Sequence, residues 1–127
     1  LANGDFYEGA TLGYEMHGPG RLQRPDRGDV WEGRYDHGKL VEGTWLHHPP
    51  TNDGRTCVRA IAAAMLARTA TVTFAPNDPK RRTVYEGEVD TTCRANGKGV
   101  MRYSDKRRGF AGTYVSDAPQ ADVKAVE

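Results

Sequence analysis

Two stretches, YEGATLGYEMHGPGRLQRPDRG at residues 7–28 and YEGEVDTTCRANGKGVMRYSD at residues 85–105, read as the same text. Each opens on an aromatic-x-Gly triplet, Tyr7-Glu8-Gly9 or Tyr85-Glu86-Gly87. Each then carries a Gly-x-Gly pair, Gly18-Pro19-Gly20 or Gly97-Lys98-Gly99. The triplet recurs at Trp31-Glu32-Gly33 and Phe110-Ala111-Gly112. Self-similarity near 25 residues marks an array of stacked supersecondary units, most often a scaffold or binding surface. The gap between the triplets at 31 and 85 is close to two periods, and a degenerate repeat starting at Cys57 fills it. Starts near 7, 31, 57, 85 and 110 bring further columns into line. A small residue falls at Gly20, Gly43, Ala70 and Gly99, and an apolar one at Leu22, Trp45, Val72 and Met101.

Within each repeat the apolar residues alternate. Trp31, Gly33 and Tyr35 share a face, with Glu32 and Arg34 opposite; Gly99, Met101 and Tyr103 share another, with Val100 and Arg102 opposite. Period-2 alternation is the mark of a half-buried strand. Turn residues separate the repeats at Asn3-Gly4-Asp5, Pro25-Asp26-Arg27-Gly28, Asn52-Asp53-Gly54, Pro76-Asn77-Asp78-Pro79 and Ser104-Asp105. The unit is therefore a β-hairpin, and the expected fold is an all-β antiparallel meander. Glycine inside a strand costs entropy, which an aromatic ring packed over its backbone offsets. Tyr7, Gly9, Trp31, Gly33, Tyr85, Gly87, Phe110 and Gly112 are the structural residues of this scheme.

With that register the sequence resembles the MORN-repeat family over about residues 3–115, with the third repeat degenerate and the last truncated. The resemblance implies an elongated, single-layer meander of MORN β-hairpins. It also implies a non-catalytic structural or scaffolding module that binds partner proteins, or dimerises, in cytoskeletal, ciliary or membrane-junction assemblies. Two other functions go with the family: an anionic-lipid-binding module, and an accessory regulatory domain of a larger enzyme.

Residues 57–67 depart furthest from the pattern. In CVRAIAAAMLA, Cys57 replaces the aromatic residue and Arg59 the glycine. Val58, Ile61, Ala62, Met65 and Leu66 also fit a helical period, and alanine is a strong helix former. The segment is either a degenerate hairpin or a short helix. Its apolar side chains, Val58, Ile61, Met65 and Leu66, are expected to be covered by a partner.

Composition narrows the function. The 127 residues carry a net charge of +1 and 37% hydrophobic content. That balance gives no bias toward nucleic acid, and no stretch nears the roughly 18 apolar residues of a membrane span. No nucleophile elbow, HExxH, CxxC pair or P-loop is present, and Ser104 and Ser116 are the only serines. The expectation is no enzyme, cofactor, metal or small-molecule substrate. His17 and His37 sit at turn or repeat-consensus positions, and His47-His48 read as a solvated loop. One charge pattern is phased with the repeat: Lys80-Arg81-Arg82 and Lys106-Arg107-Arg108 each precede a repeat start, with Arg27 and Arg55 in equivalent turns. On a meander these turns share an edge, about 10 Å apart, and form a basic rim for an acidic protein or anionic lipid. With no secretory signal in view, Cys57 and Cys93 are expected as reduced thiols in a cytoplasmic, cytoskeleton- or membrane-associated setting. The opening Leu1-Ala2-Asn3-Gly4-Asp5 reads as the closing turn of an earlier repeat, and the tail 116–127 as flexible or docked on a partner.

Overall fold

A computed structural model describes residues 4–126; the expectations placed on residues 1–3 and on Glu127 lie outside them. The strands are β1 (Phe6–Leu12), β2 (Glu15–Arg24), β3 (Asp29–Asp36), β4 (Lys39–His47), β5 (Thr56–Ala62), β6 (Met65–Leu66), β7 (Thr69–Thr73), β8 (Arg82–Val89), β9 (Ala95–Tyr103), β10 (Gly109–Val115), β11 (Ala118–Pro119) and β12 (Lys124–Val126). They form one open antiparallel sheet in the order β1-β2-β3-β4-β5-β7-β8-β9-β10-β11, with β6 beside β5 and β12 beside β10. The all-β meander expected from the alternation is the fold. Two compact units divide it: the chain through His48 with Val58–Ala67, and Pro49–Cys57 with the chain from Arg68 onward.

In the first unit a ladder of glycines crosses the strands. Gly9 faces Gly20, Gly20 faces Gly33, and Gly33 faces Gly43. Backbones close in where side chains are missing: a Cβ on Gly33 would stand 2.6 Å from the Gly43 Cα. The Tyr7 ring lies over Gly20, where a Cβ would strike it, and its hydroxyl donates to the Ala10 carbonyl at 2.6 Å. Tyr35 meets Tyr7 edge to face, with centroids 5.5 Å apart, and donates its hydroxyl to the Trp31 carbonyl. Buried Tyr35, Leu40 and Ile61 make the core, with Met16, Leu22, Trp31 and Trp45 packed against them.

Ile61 explains why residues 57–67 are a hairpin and not a helix. It stands on β5 opposite Leu66, and its side chain fills the core between Tyr35 and Leu40. Strand pairing and burial override the alanines' helix propensity. The turn is Ala63-Ala64, both left-handed with φ of 51° and 61°, the conformation a two-residue hairpin loop needs. Arg59 braces the hairpin by donating to the Ala67 carbonyl at 2.6 and 3.1 Å.

The second unit repeats the device. Gly87 faces Gly99, and Gly99 faces Gly112. The Tyr85 ring covers Gly99 and donates its hydroxyl to the Glu88 carbonyl, as Tyr7 does to Ala10. Tyr114 meets Tyr85 edge to face at 5.4 Å and bonds the Phe110 carbonyl, as Tyr35 does Trp31. Tyr7 and Tyr85 lie 78 positions apart; Gly20 and Gly99, Trp31 and Phe110, and Tyr35 and Tyr114 lie 79 apart. Under the 25-residue period lies this longer one. Of the four triplet aromatics, Tyr7 and Tyr85 cover glycine, whereas Trp31 stacks on Trp45 and Phe110 meets Tyr103 edge to face.

Two expectations are overturned in this unit. Cys57 and Cys93 are not thiols but a disulfide, fully buried, with Cα atoms 6.4 Å apart and a sequence separation of 36. Cys57 fills the aromatic column of the degenerate repeat and Cys93 a left-handed turn before β9, positions that only folding brings together. The tail is also no loose segment across its described length: it packs on its own chain. β11 and β12 both pair with β10, Val123 packs on the core, and Asp122 accepts from the Thr113 amide and hydroxyl.

Gly20 and Gly99 have no left-handed backbone to protect, so alanine there tests the ring contact alone. Gly99→Ala is expected to cost about 1–3 kcal/mol by overpacking in urea unfolding. Gly20→Ala should cost less, because Tyr85 is fully buried and Tyr7 is only half-buried and free to yield. Ala64→Gly should instead stabilise the chain by about 1 kcal/mol, since left-handed backbone penalises a residue with a Cβ. Reducing the disulfide should cost about 4 kcal/mol, the loop-closure value for its span, read as the difference in urea midpoint with and without reductant.

Candidate functional site

The expected basic rim does not survive intact. Arg82 is only 10% exposed at its side chain and is locked to Asp78, Nη2 to Oδ1 at 2.8 Å and Nε to Oδ2 at 2.9 Å. Arg55, 2% exposed, donates to Asp53 at 2.6 Å, to Asp117 at 2.8 Å and to the Cys93 carbonyl at 3.0 Å. Both guanidiniums stack near the buried Phe74 ring, 4.8 Å from its centroid for Arg55 and 4.3 Å for Arg82. Arg55 and Arg82 are therefore internal struts of the second unit. Hydrogen bonding from Arg55 holds the Asp53 carboxyl well below the usual range, and Arg82 does the same for Asp78. Lys106 leans on Asp105 at 3.5 Å and on the Tyr103 ring at 5.3 Å. Lys80, Arg81, Arg107 and Arg108 remain as exposed cations.

The first unit carries a different feature, an apolar groove of about 380 Å³. Its floor is the core trio Tyr35, Leu40 and Ile61, and its sides are Met16 and Leu22 of β2, Trp31 of β3 and Leu66 of β6. Strand parity puts these on one face: Leu22 pairs with Trp31 across β2 and β3, and Ile61 with Leu66 across β5 and β6. Lys39 is its one charged lining residue. Its other titratable side chain, Tyr35, has its hydroxyl bonded to the Trp31 carbonyl, so the groove suits mainly apolar groups. The buried Trp31 Nε1 has no hydrogen-bond acceptor, although a buried indole N–H ordinarily finds one. Behind it Trp31 stacks on Trp45 at 4.6 Å, and Trp45 on His47 at 3.6 Å. His47 is thus a buried strand residue, in contrast to the solvated loop expected, because positions 45 and 47 share a face of β4. Burial lowers its pKa, and Asp29 partly opposes that shift.

The four apolar residues expected to meet a partner divide. Ile61 is buried in its own core, Val58 is half-buried, Leu66 lines the groove, and Met65 beside it is 72% exposed. Met16 and Leu40 were not singled out from the sequence; Met16 has the parity of Leu22 on β2, and Leu40 on β4 pairs with Tyr35 of β3. Compared with family models and with curated proteins, the sequence matches none.

The carboxylates give the second unit an acid signature. Asp53 and Asp78 have depressed pKa values when folded, so the stability they contribute is present above the unfolded value of about 3.9. It is lost as pH falls below that value, because the unfolded chain binds protons first. Urea midpoints are expected to drop steeply below about pH 4. Arg55→Ala should cost about 3–5 kcal/mol, the penalty for stranding buried charge, whereas exposed Arg107→Ala should stay within about 0.5 kcal/mol.

Proposed function

We propose that the chain is a non-catalytic, MORN-type repeat module that binds a partner protein through the groove of its first unit. The observation that carries this reading is the apolar groove itself, open on the sheet face and lined by Leu22, Trp31 and Leu66. An apolar segment of a polypeptide fits it: its side chains cover Leu22, Leu66 and Trp31. Lys39 at the edge suits a carboxylate on the same segment. The repeat register and the tyrosine-over-glycine packing support the MORN assignment.

Anionic lipid is the weaker reading. Of the cations that suggested it, Arg55 and Arg82 are neutralised inside the second unit and Lys106 is paired. A few exposed cations give modest, salt-screened attraction. The buried disulfide supports an oxidising compartment over a cytoplasmic, cytoskeletal one.

Peptides selected from a random display library against the oxidised chain test the reading. The expected winners carry clustered apolar residues, quench or blue-shift tryptophan fluorescence, and bind nearly independently of salt. Trp31→Ala should weaken them at least about tenfold, a loss of about 1.4 kcal/mol. Winners that ignore Trp31→Ala and fade with salt would place binding on the remaining cations and overturn the groove.

A further inference from the structure

At the mouth of the β3–β4 turn, four ligating side chains converge that the groove does not use. His17 comes from β2, Asp36 from the end of β3, His37 from the turn itself and Glu15 from the start of β2. One donor atom from each of His17, Asp36 and His37 lies within 4.8 Å of the other two. Asp36 Oδ1 stands 3.6 Å from His17 Nδ1 and 3.7 Å from His37 Nε2. Donors held 2.0–2.1 Å from a tetrahedral metal are separated by about 3.4 Å, so the two carboxylate–imidazole distances need only a small contraction, and rotation of the exposed imidazoles closes the third. From these distances we propose that His17, Asp36 and His37 form a binding site for a divalent transition-metal ion such as Zn²⁺.

His17 Nδ1 accepts from the His37 amide at 3.2 Å, which holds the ring beside the turn; an ion would exchange that hydrogen bond for a ligand bond. His37 turns Nε2 toward Asp36 and Nδ1 toward Glu15, whose Oε1 is 3.5 Å away. A carboxylate on the far nitrogen of a ligating histidine is the usual way its ring is oriented and its basicity raised. Glu15 is that positioning residue. The Gly38 amide donates to the Met16 carbonyl at 2.8 Å and fixes the turn against β2, so the donors are brought together by backbone. The side chains are a third to two-thirds exposed, which leaves water to complete the coordination. A set of two imidazoles and one carboxylate favours Zn²⁺, Ni²⁺ or Cu²⁺ over the oxygen-seeking Ca²⁺ and Mg²⁺. The repeat does not impose the cluster: the positions 79 residues later hold Asn96, Val115 and Ser116.

Titration of the oxidised chain with ZnCl₂, without reductant so that Cys57 and Cys93 stay bonded, tests the site. Calorimetry should show one saturable site, and Co²⁺ should give the visible absorption of a low-coordinate N,O-bound ion. His17→Gln and His37→Asn should each abolish saturable binding while leaving the far-ultraviolet spectrum unchanged; asparagine tolerates the left-handed φ of 48° at position 37. Glu15→Gln should weaken binding about 10–100-fold, and the double change His47→Gln with His48→Gln should leave it unaltered. CaCl₂ should not compete. Absence of saturable zinc binding below about 1 mM, or its survival in His17→Gln or His37→Asn, overturns the proposal and leaves the groove untouched.

Discussion

A tyrosine ring lying on the bare backbone of a glycine is the contact on which this sheet is built. Strand glycines are a liability, costing about 0.5–1 kcal/mol each relative to alanine. Here they let neighbouring strands and the Tyr7 and Tyr85 rings approach to distances no Cβ would permit. Each ring recovers the loss by burying aromatic area, and each hydroxyl finds a carbonyl at 2.6–2.7 Å on its own strand. The next tyrosine then seats edge-on against the first. In the first unit that second ring is Tyr35, the floor of the groove. The groove is thus a by-product of the packing that makes the hairpins stack.

Charge does a different job in the second unit. Arg55 and Arg82 are drawn inward by Asp53, Asp78 and Asp117 and stack on Phe74, so turns far apart in sequence are fastened around one ring. Two arginines at repeat boundaries thus serve as internal bracing, while their neighbours Lys80 and Arg81 stay exposed. The disulfide acts on the same region, since Arg55 lies two residues from Cys57 and donates to the Cys93 carbonyl.

What the sequence carried well was periodic. Alternation around Trp31-Gly33-Tyr35 and Gly99-Met101-Tyr103 located strands, and the glycine columns located their register. The segment at 57–67 stayed ambiguous because its apolar residues satisfy a period of 3.6 as well as 2; only the place Ile61 takes beside Tyr35 and Leu40 decides it. The disulfide and the fastening of Arg55 rest on contacts between residues distant in sequence. The tail docks by strand pairing that its composition does not signal, and Arg82 turns inward to a local but buried carboxylate, Asp78. Asp117 meets Arg55 across 62 positions, with no local signal to announce it. The groove was half legible: Leu22 and Leu66 were marked from the sequence, but their convergence with Met16 and Trp31 needs the strand order. The histidines showed least, because at single-residue level His17 and His37 look like ordinary turn residues.

The doubled tyrosine–glycine arrangement has a consequence for how such a chain changes over time. The geometry of each unit hangs on a handful of positions, spaced 78 or 79 residues from their counterparts. Many of the other residues on the strands are exposed and answer mainly to keeping their polarity. Drift can therefore rewrite most of the text while leaving the architecture fixed, and an insertion is absorbed in a turn, as the one-residue difference between the two spacings shows. Kinship among sheets of this kind is carried by rhythm, not by wording.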